Sequence, residues 1–140
     1  MKQICVDASF VLKLLLDEPD SPQAVAHWSE WIANDYEIVA PFHLVFEVVS
    51  VLRNNIYRKT ISSQAGEKAL AAFLAQDITL LHPPSLIEQG WLVATRLNRP
   101  TVYDAIYLAL GELMECEVWT ADRRLYNAAE ATLPQLRLLN

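Results

Sequence analysis

Short apolar runs alternate with helical patterns along the whole chain, and this alternation limits the possible folds more than any other feature. We predict five strands, over residues 3–7, 37–40, 78–82, 117–120 and 136–139. Helices are predicted between and beside them, over residues 9–16, 23–33, 42–58, 62–75, 85–98, 102–115 and 123–131. Strands that are separated by helices and apolar on both faces are typical of a mainly parallel sheet covered by helices on each side. The sequence therefore predicts an α/β fold.

Length and composition favour a single domain over residues 1–140. A chain of 140 residues, of which 53% are hydrophobic and 20% charged, can bury a core without disulfides or structural metal. Cys5 and Cys116 lie in strand-like runs without the spacing of a zinc site or a redox pair, so we expect buried free thiols. The net charge of −6 argues against broad binding of phosphate backbones but leaves local basic patches open.

No part of the sequence predicts a membrane segment. Charged residues interrupt every apolar run before it reaches the roughly 18 residues that a membrane span requires. Asp7 interrupts the first apolar run too early for a secretory signal. We therefore expect a cytoplasmic protein without membrane association.

Two acids directly follow predicted strands. Asp7 ends the run Q-I-C-V-D, and Asp122 ends V-W-T-A-D. The carboxyl ends of parallel strands meet at one edge of a sheet, where ligands gather, so both acids are expected on that edge. Each also has an ordinary alternative, since aspartate is a preferred helix N-cap. The same holds for Asp104, which would be the third helical residue if Thr101 were the cap.

Glu47 has no such capping role, because it lies inside the apolar run L-V-F-E-V-V-S-V-L. Neither lysine nor arginine stands three or four positions away. The carboxylate must either face solvent on a thin polar stripe or be desolvated and paired, and the sequence leaves both alternatives open. The scattered histidines are interpreted as ordinary surface or core-edge residues: His27, His43 and His82.

A shared metal ion would account for the four acids together. Converging carboxylates raise one another's pKa unless a divalent cation holds them ionised. Oxygen ligands with no nearby cluster of cysteine or histidine indicate Mg²⁺ or Mn²⁺ rather than zinc.

Four segments, in this order and spacing, resemble the PIN-domain family, and specifically VapC-type toxin ribonucleases. They are V-D-A-S, F-E-V-V-S-V-L, Y-D-A-I-Y-L-A-L and W-T-A-D-R-R-L. Each segment alone is weak, but the ordered set is specific and the resemblance covers essentially the whole chain. It implies a three-layer α/β/α fold, often with strand order 3-2-1-4-5. It also implies a Mg²⁺-dependent endoribonuclease that hydrolyses RNA phosphodiester bonds, with Mn²⁺ as a substitute.

The resemblance also implies the site residues. The family's acidic quartet, as catalytic residues and metal ligands, falls on Asp7, Glu47, Asp104 and Asp122. Supporting polar positions fall on Ser9 and Thr120. Where some relatives carry a further acid after the fourth, this chain has Leu125 and Tyr126, which implies a weak second metal site or one filled only with RNA bound.

RNA that approaches an acidic edge needs cations beside it. Arg123 and Arg124, directly after Asp122, are the nearest candidates for RNA binding. Lys13, Arg96 and Arg99 are more distant candidates. The alternative for all five is an ordinary solvated helix charge, and that alternative is preferred for Lys13 and Arg96.

The resemblance further implies two protein partners, a VapB-type antitoxin whose tail covers a groove near the active site and a second copy of the chain in a homodimer. Trp28, Trp31 and Tyr36 are candidate interface aromatics, although core packing of the two tryptophans is the commoner outcome.

Three alternatives to a nuclease stay open. One is a PIN-like module that binds RNA or protein and has lost catalysis. Another is a receiver-like phosphoacceptor domain, which would need adjacent acids after the first strand and a lysine after a late one. A phosphatase with an aspartate nucleophile would need a second acid where Ser9 stands.

Overall fold

A computed structural model of the chain describes residues 2–140. The strands in these residues are β1 (Gln3–Val6), β2 (Glu37–Ala40), β3 (Thr79–Leu80), β4 (Glu117–Thr120) and β5 (Leu136–Leu138). They form one sheet in the order β3-β2-β1-β4-β5, and every neighbouring pair is parallel. Both the parallel sheet and the strand order that the resemblance implies are confirmed.

Seven helices connect the strands in the described part of the chain. They are α1 (Ala8–Leu15), α2 (Ser21–Ala33), α3 (His43–Tyr57), α4 (Ser63–Leu74), α5 (Leu86–Arg96), α6 (Tyr103–Met114) and α7 (Arg123–Ala129). Each corresponds to a predicted helix, with ends that differ by a few residues. The largest difference concerns β3, which is predicted over 78–82. Only Thr79 and Leu80 pair with β2, and a Pro-Pro pair follows at 83–84.

Side chains of β4 alternate between the two faces of the sheet, as they do in any strand. Val118 lies so close to Gly111 of α6 that a Cβ on residue 111 would overlap its side chain. Trp119 points the other way, with its ring centroid 6.2 Å from that of Phe10 in α1 and 5.4 Å from that of Trp31 in α2. The sheet is therefore the middle of three layers, as predicted.

The two tryptophans of α2 belong to the core. Trp28 is 9% exposed and Trp31 is 6% exposed, and the Trp31 ring stacks on Phe10 at 5.3 Å. Core packing, the commoner of the two outcomes expected for these tryptophans, is confirmed, and neither forms an exposed interface. Both cysteines are buried free thiols, as expected: Cys5 and Cys116. Among the helices of residues 2–140, none combines the length and apolar character needed to cross a bilayer.

Candidate active site

The two acids that follow strands lie side by side at the carboxyl edge of the sheet. Strands β1 and β4 are central neighbours, with Val6 paired to Trp119. The Asp7 amide donates to the Trp119 carbonyl at 3.2 Å, and Asp122 follows β4 by two residues. The expectation that both acids share one edge is confirmed.

Asp7 caps α1 and is also the most buried of the four acids. Its Oδ1 atom accepts hydrogen bonds from the Phe10 amide at 2.9 Å and from the Ser9 hydroxyl at 2.7 Å. Asp7 is only 4% exposed. Burial raises the pKa of Asp7 to about 6, against the lowering effect of the hydroxyls of Thr120 and Ser9, and the charge of Asp104 adds to the rise. The fold thus holds this carboxylate where its charge needs a nearby cation.

Two hydroxyl groups connect the ends of β1 and β4. The Oγ atoms of Ser9 and Thr120 are 3.1 Å apart. Ser9 also accepts a hydrogen bond from the Ala121 amide at 2.9 Å, and Thr120 accepts one from the Asp122 amide at 3.0 Å. The backbone that leads into Asp122 is therefore fixed relative to Asp7.

Asp122 and Asp104 each begin a helix. Asp122 caps α7, with Oδ1 accepting from the Leu125 amide at 3.2 Å. Asp104 is the second residue of α6, whose N-cap is Val102 without a side-chain hydrogen bond. The predicted capping box with Thr101 is wrong, because the helix begins one residue later than expected.

The Asp104 carboxylate pairs instead with Arg99, whose Nη2 atom lies 3.3 Å from Oδ2. Burial raises the pKa of Asp104 above its ordinary value, while Arg99 lowers it and the charges of Glu47 and Asp122 raise it further. Asp104 is therefore electrostatically linked to both of these acids, and to Asp7. All four acids share one electrostatic environment.

Glu47 is half-buried and paired, which decides between the two alternatives for this residue. The Tyr107 hydroxyl donates to Oε1 at 2.7 Å, and Nε2 of His43 lies 3.2 Å from the same oxygen. Burial raises the pKa of Glu47, but these two hydrogen bonds outweigh it and hold the pKa below its ordinary value.

Both partners of Glu47 were missed in the sequence. The sequence shows the spacing of four residues between His43 and Glu47, which allows contact on a helix, but His43 is neither lysine nor arginine. Tyr107 lies in a buried helix, and a buried tyrosine hydroxyl normally has a hydrogen-bond partner.

The four acids share one pattern of hydrogen bonding. On each of them a single oxygen accepts from protein donors. The other oxygen receives no hydrogen bond from residues 2–140: Asp7 Oδ2, Glu47 Oε2, Asp104 Oδ1 and Asp122 Oδ2. Asp7 is buried, whereas Glu47, Asp104 and Asp122 are each partly exposed.

These acids do not form a closed cage. Within residues 2–140, no group of three or more His, Cys, Asp or Glu side chains is arranged to hold one metal ion. What the arrangement offers is a set of carboxylate oxygens, which can bind a cation through one or two carboxylates with water in the remaining positions.

Cations near the site differ in how far they are already paired. Arg123 and Arg124 are exposed at the start of α7 and form no ion pair within the described part of the chain. Lys13 pairs with Glu18 and Asp20, and Arg96 pairs with Glu112. Lys13 and Arg96 are thus already paired with acids of the protein itself.

The family profile of the PIN domain matches residues 4–131. The chain belongs to the PIN-domain family. This PIN domain is 32% identical over 132 residues, which cover 94% of each chain, to ribonuclease VapC9 of Mycobacterium tuberculosis. Because the chain belongs to this family, the receiver-like domain and the aspartate phosphatase are excluded as alternatives.

Two solved structures share the fold of this PIN domain. The first is Mycobacterium tuberculosis VapC20, described as a Sarcin-Ricin loop cleaving toxin, with a TM-score of 0.65, 20% identity and coverage of 96% of this chain and 98% of that one. The second is a toxin-antitoxin complex from Klebsiella pneumoniae, with a TM-score of 0.60, 16% identity and coverage of 98% of each chain. At these identities the likeness concerns the fold alone.

Proposed function

We propose that this PIN domain is a divalent-metal-dependent endoribonuclease that acts as the toxin of a toxin-antitoxin pair. The observation that carries the proposal is the set of four electrostatically linked acids at the carboxyl edge of the sheet, each with one oxygen that accepts from a protein donor and a second that does not. The relative VapC9 is a ribonuclease, which supports the same reaction class. A binding module without catalysis is the remaining alternative, and the complete acidic set argues against it.

The donor chemistry of the site fits Mg²⁺, with Mn²⁺ as a substitute. Asp7 and Asp104 are the residues that would hold the ion. Both have raised pKa values, and a bound cation would lower them by stabilising the ionised carboxylates. Mg²⁺ keeps several of its waters and commonly binds through one or two carboxylates, so a protein cage of three acids is not required. When bound, such an ion lowers the pKa of a coordinated water and stabilises charge on phosphate oxygens.

The chain's own residues would orient the reactants. Glu47 and Asp122 supply acceptor oxygens, Oε2 and Oδ2, that would complete the coordination of such an ion or orient the attacking water. Ser9 and Thr120 keep Asp7 and the end of β4 in fixed positions. Hydrolysis of the phosphodiester requires the attacking oxygen to lie in line with the leaving oxygen, so this orientation matters for the rate.

Arg123 and Arg124 would contact the RNA backbone. They follow Asp122 directly, and without an ion pair in residues 2–140 their guanidinium groups are free to bind phosphate. Because the whole chain carries a net charge of −6, RNA binding must depend on such local cations.

We propose the cleft between α1, α3 and α4 as the site of the antitoxin. It has a volume of about 890 Å³, and its wall includes apolar side chains such as Leu12, Leu16, Val51 and Ile61. Ser9, the hydrogen-bond partner of Asp7, also lines it. A peptide segment with apolar side chains would fill this cleft and end beside the acids.

We also propose that the protein forms a homodimer through exposed apolar residues of α3 and α5. Phe42, the N-cap of α3, lies about one turn before Phe46, and Ile87 lies about one turn before Trp91 on α5; all four are exposed. Exposed apolar residues that recur on one helix face mark interaction sites more often than scattered ones do.

The test is cleavage of a mixed pool of structured RNAs by purified protein without antitoxin. Wild-type protein is expected to cut in Mg²⁺ or Mn²⁺ and to stop in EDTA, and the Asp7→Asn and Asp104→Asn variants are expected to be inactive although folded. Asp77→Asn, which changes an exposed acid in the loop before β3, is the matched control and should retain activity. Cleavage that persists in EDTA would refute the metal-dependent mechanism, and RNA binding without cleavage would favour the binding-module alternative.

A further inference from the structure

Two side chains that the proposed mechanism does not use converge on one oxygen of Glu47. We propose that Tyr107 and His43 are positioning residues, which hold the Glu47 carboxylate so that Oε2 is the oxygen it presents to a divalent cation. This inference rests on the proposed function, because it assumes that the four acids bind such an ion.

The first contact comes from a side chain that cannot easily move. Tyr107 is 1% exposed and belongs to the hydrophobic core. Its hydroxyl donates to Glu47 Oε1 at 2.7 Å, a distance typical of a strong bond from a hydroxyl to a charged carboxylate. Because the donor is rigid, its hydrogen bond also restricts the position of Glu47 Oε1.

The second contact also fixes the state of the histidine. Nε2 of His43 lies 2.9 Å from the Tyr103 carbonyl oxygen and 3.2 Å from Glu47 Oε1. A carbonyl and an ionised carboxylate only accept hydrogen bonds, so Nε2 must carry the hydrogen. The His43 ring also lies against the Tyr107 ring, with centroids 4.5 Å apart.

Together these contacts join the helices that carry two of the four acids. His43 and Glu47 belong to α3, whereas Tyr103 and Tyr107 belong to α6, beside Asp104. The hydrogen bonds from His43 to Tyr103 and from Tyr107 to Glu47 therefore link α3 to α6 close to both acids.

The choice of oxygen follows from the same geometry. Both donors reach Oε1, and no donor in residues 2–140 reaches Oε2. A free glutamate on a helix surface has several rotamers, and a metal ion that binds it must order them. In this PIN domain, Tyr107 and His43 already restrict the Glu47 side chain before a metal ion binds. Hydrogen-bond partners of metal ligands typically change metal affinity by about 10- to 100-fold when they are removed.

The experiment measures Mn²⁺ binding by calorimetry, in the absence of RNA, for the wild type and four variants. Tyr107→Phe, which keeps the ring and loses only the hydroxyl, is expected to weaken Mn²⁺ binding by about tenfold. His43→Ala is expected to weaken it as well, and His43→Gln, whose amide can still donate, should recover most of the loss. Tyr57→Phe, at the exposed end of α3, is the matched control and should bind as the wild type does.

A second measurement separates positioning from a general loss of structure. In the RNA cleavage assay, Tyr107→Phe should need about tenfold more Mn²⁺ for half-maximal rate but reach the wild-type rate at saturation. A variant that lost structure would instead lose rate at every Mn²⁺ concentration.

The outcomes distinguish this inference from the proposed function. If the wild type binds Mn²⁺ and both Tyr107→Phe and His43→Ala bind it equally well, the positioning role is overturned and the metal site stands. If the wild type binds no Mn²⁺, the metal site and the positioning role are both overturned. Should Tyr107→Phe fail to fold, the pair His43→Ala and His43→Gln decides the question.

Discussion

Replacing Asp7 with asparagine should make the metal-free protein more stable and at the same time abolish its response to Mg²⁺. The reason is the burial of Asp7, which raises its pKa from 3.8 to about 6. An acid whose folded-state pKa is raised stabilises the fold fully at pH values below its unfolded pKa. That contribution is lost as the pH rises through the folded-state value. Near neutral pH, the metal-free fold therefore carries the cost of a buried charge.

The size of this cost follows from the two pKa values. The difference between 3.8 and about 6 corresponds to about 3 kcal/mol, which is the upper limit of the gain in the free energy of unfolding. Asparagine caps helices about as well as aspartate, and its carbonyl oxygen can still accept from Ser9 and Phe10. The substitution therefore removes the charge without removing the cap.

The assay is urea unfolding in EDTA and in excess Mg²⁺. In EDTA at about pH 7.5, Asp7→Asn is expected to be more stable than the wild type by about 1–3 kcal/mol, and this difference should disappear near pH 3.5. Excess Mg²⁺ should stabilise the wild type and leave the variant unchanged. A variant that is no more stable than the wild type in EDTA near neutral pH would refute the reasoning from the buried charge.

Three further substitutions test other parts of the structure. Gly111→Ala would force the new Cβ into the Val118 side chain, so we expect the free energy of unfolding, measured in urea, to fall by about 1–3 kcal/mol. An unchanged unfolding midpoint would contradict the close packing of α6 on β4. Replacing Arg123 and Arg124 together by alanine should weaken RNA binding similarly for all sequences. The slope of log affinity against log salt concentration should fall in magnitude by about 2, as measured by fluorescence anisotropy at several salt concentrations. Phe46→Glu, at a residue 74% exposed, should give a monomer in light scattering, and a persistent dimer would exclude this surface as the interface.

Features set by local sequence were predictable. The alternation of strands and helices depends on apolar periodicity and on breaks at proline, and both can be read over a few residues. The position of Asp7 and Asp122 at one edge followed because parallel strands share a direction. Local reasoning was less reliable for helix ends, where the expected cap at Thr101 was displaced by one residue.

Features that depend on contacts between distant residues were not predictable. Tyr107 and Glu47 are separated by 60 residues, and nothing in either segment alone specifies their hydrogen bond. Trp28 and Trp31 stand on a helix whose spacing allowed either face to be buried, and only the docking of α2 on the sheet decides which. The four acids were first grouped by the hypothesis of a shared metal ion, since each of them alone had an ordinary explanation or an open alternative, and the family resemblance then pointed to the same four residues.

The pairing of β1 with β4 has a consequence for synthesis of the protein. These two strands bring Asp7, from the first few residues of the chain, beside Asp122, which follows more than a hundred residues later. A ribosome must therefore have made almost the whole domain before all four acids can meet. A nascent chain that stops before β4 carries Asp7, Glu47 and Asp104 without the strand that aligns them with the fourth acid. Any activity that needs the full set is consequently absent until translation of this domain is nearly finished.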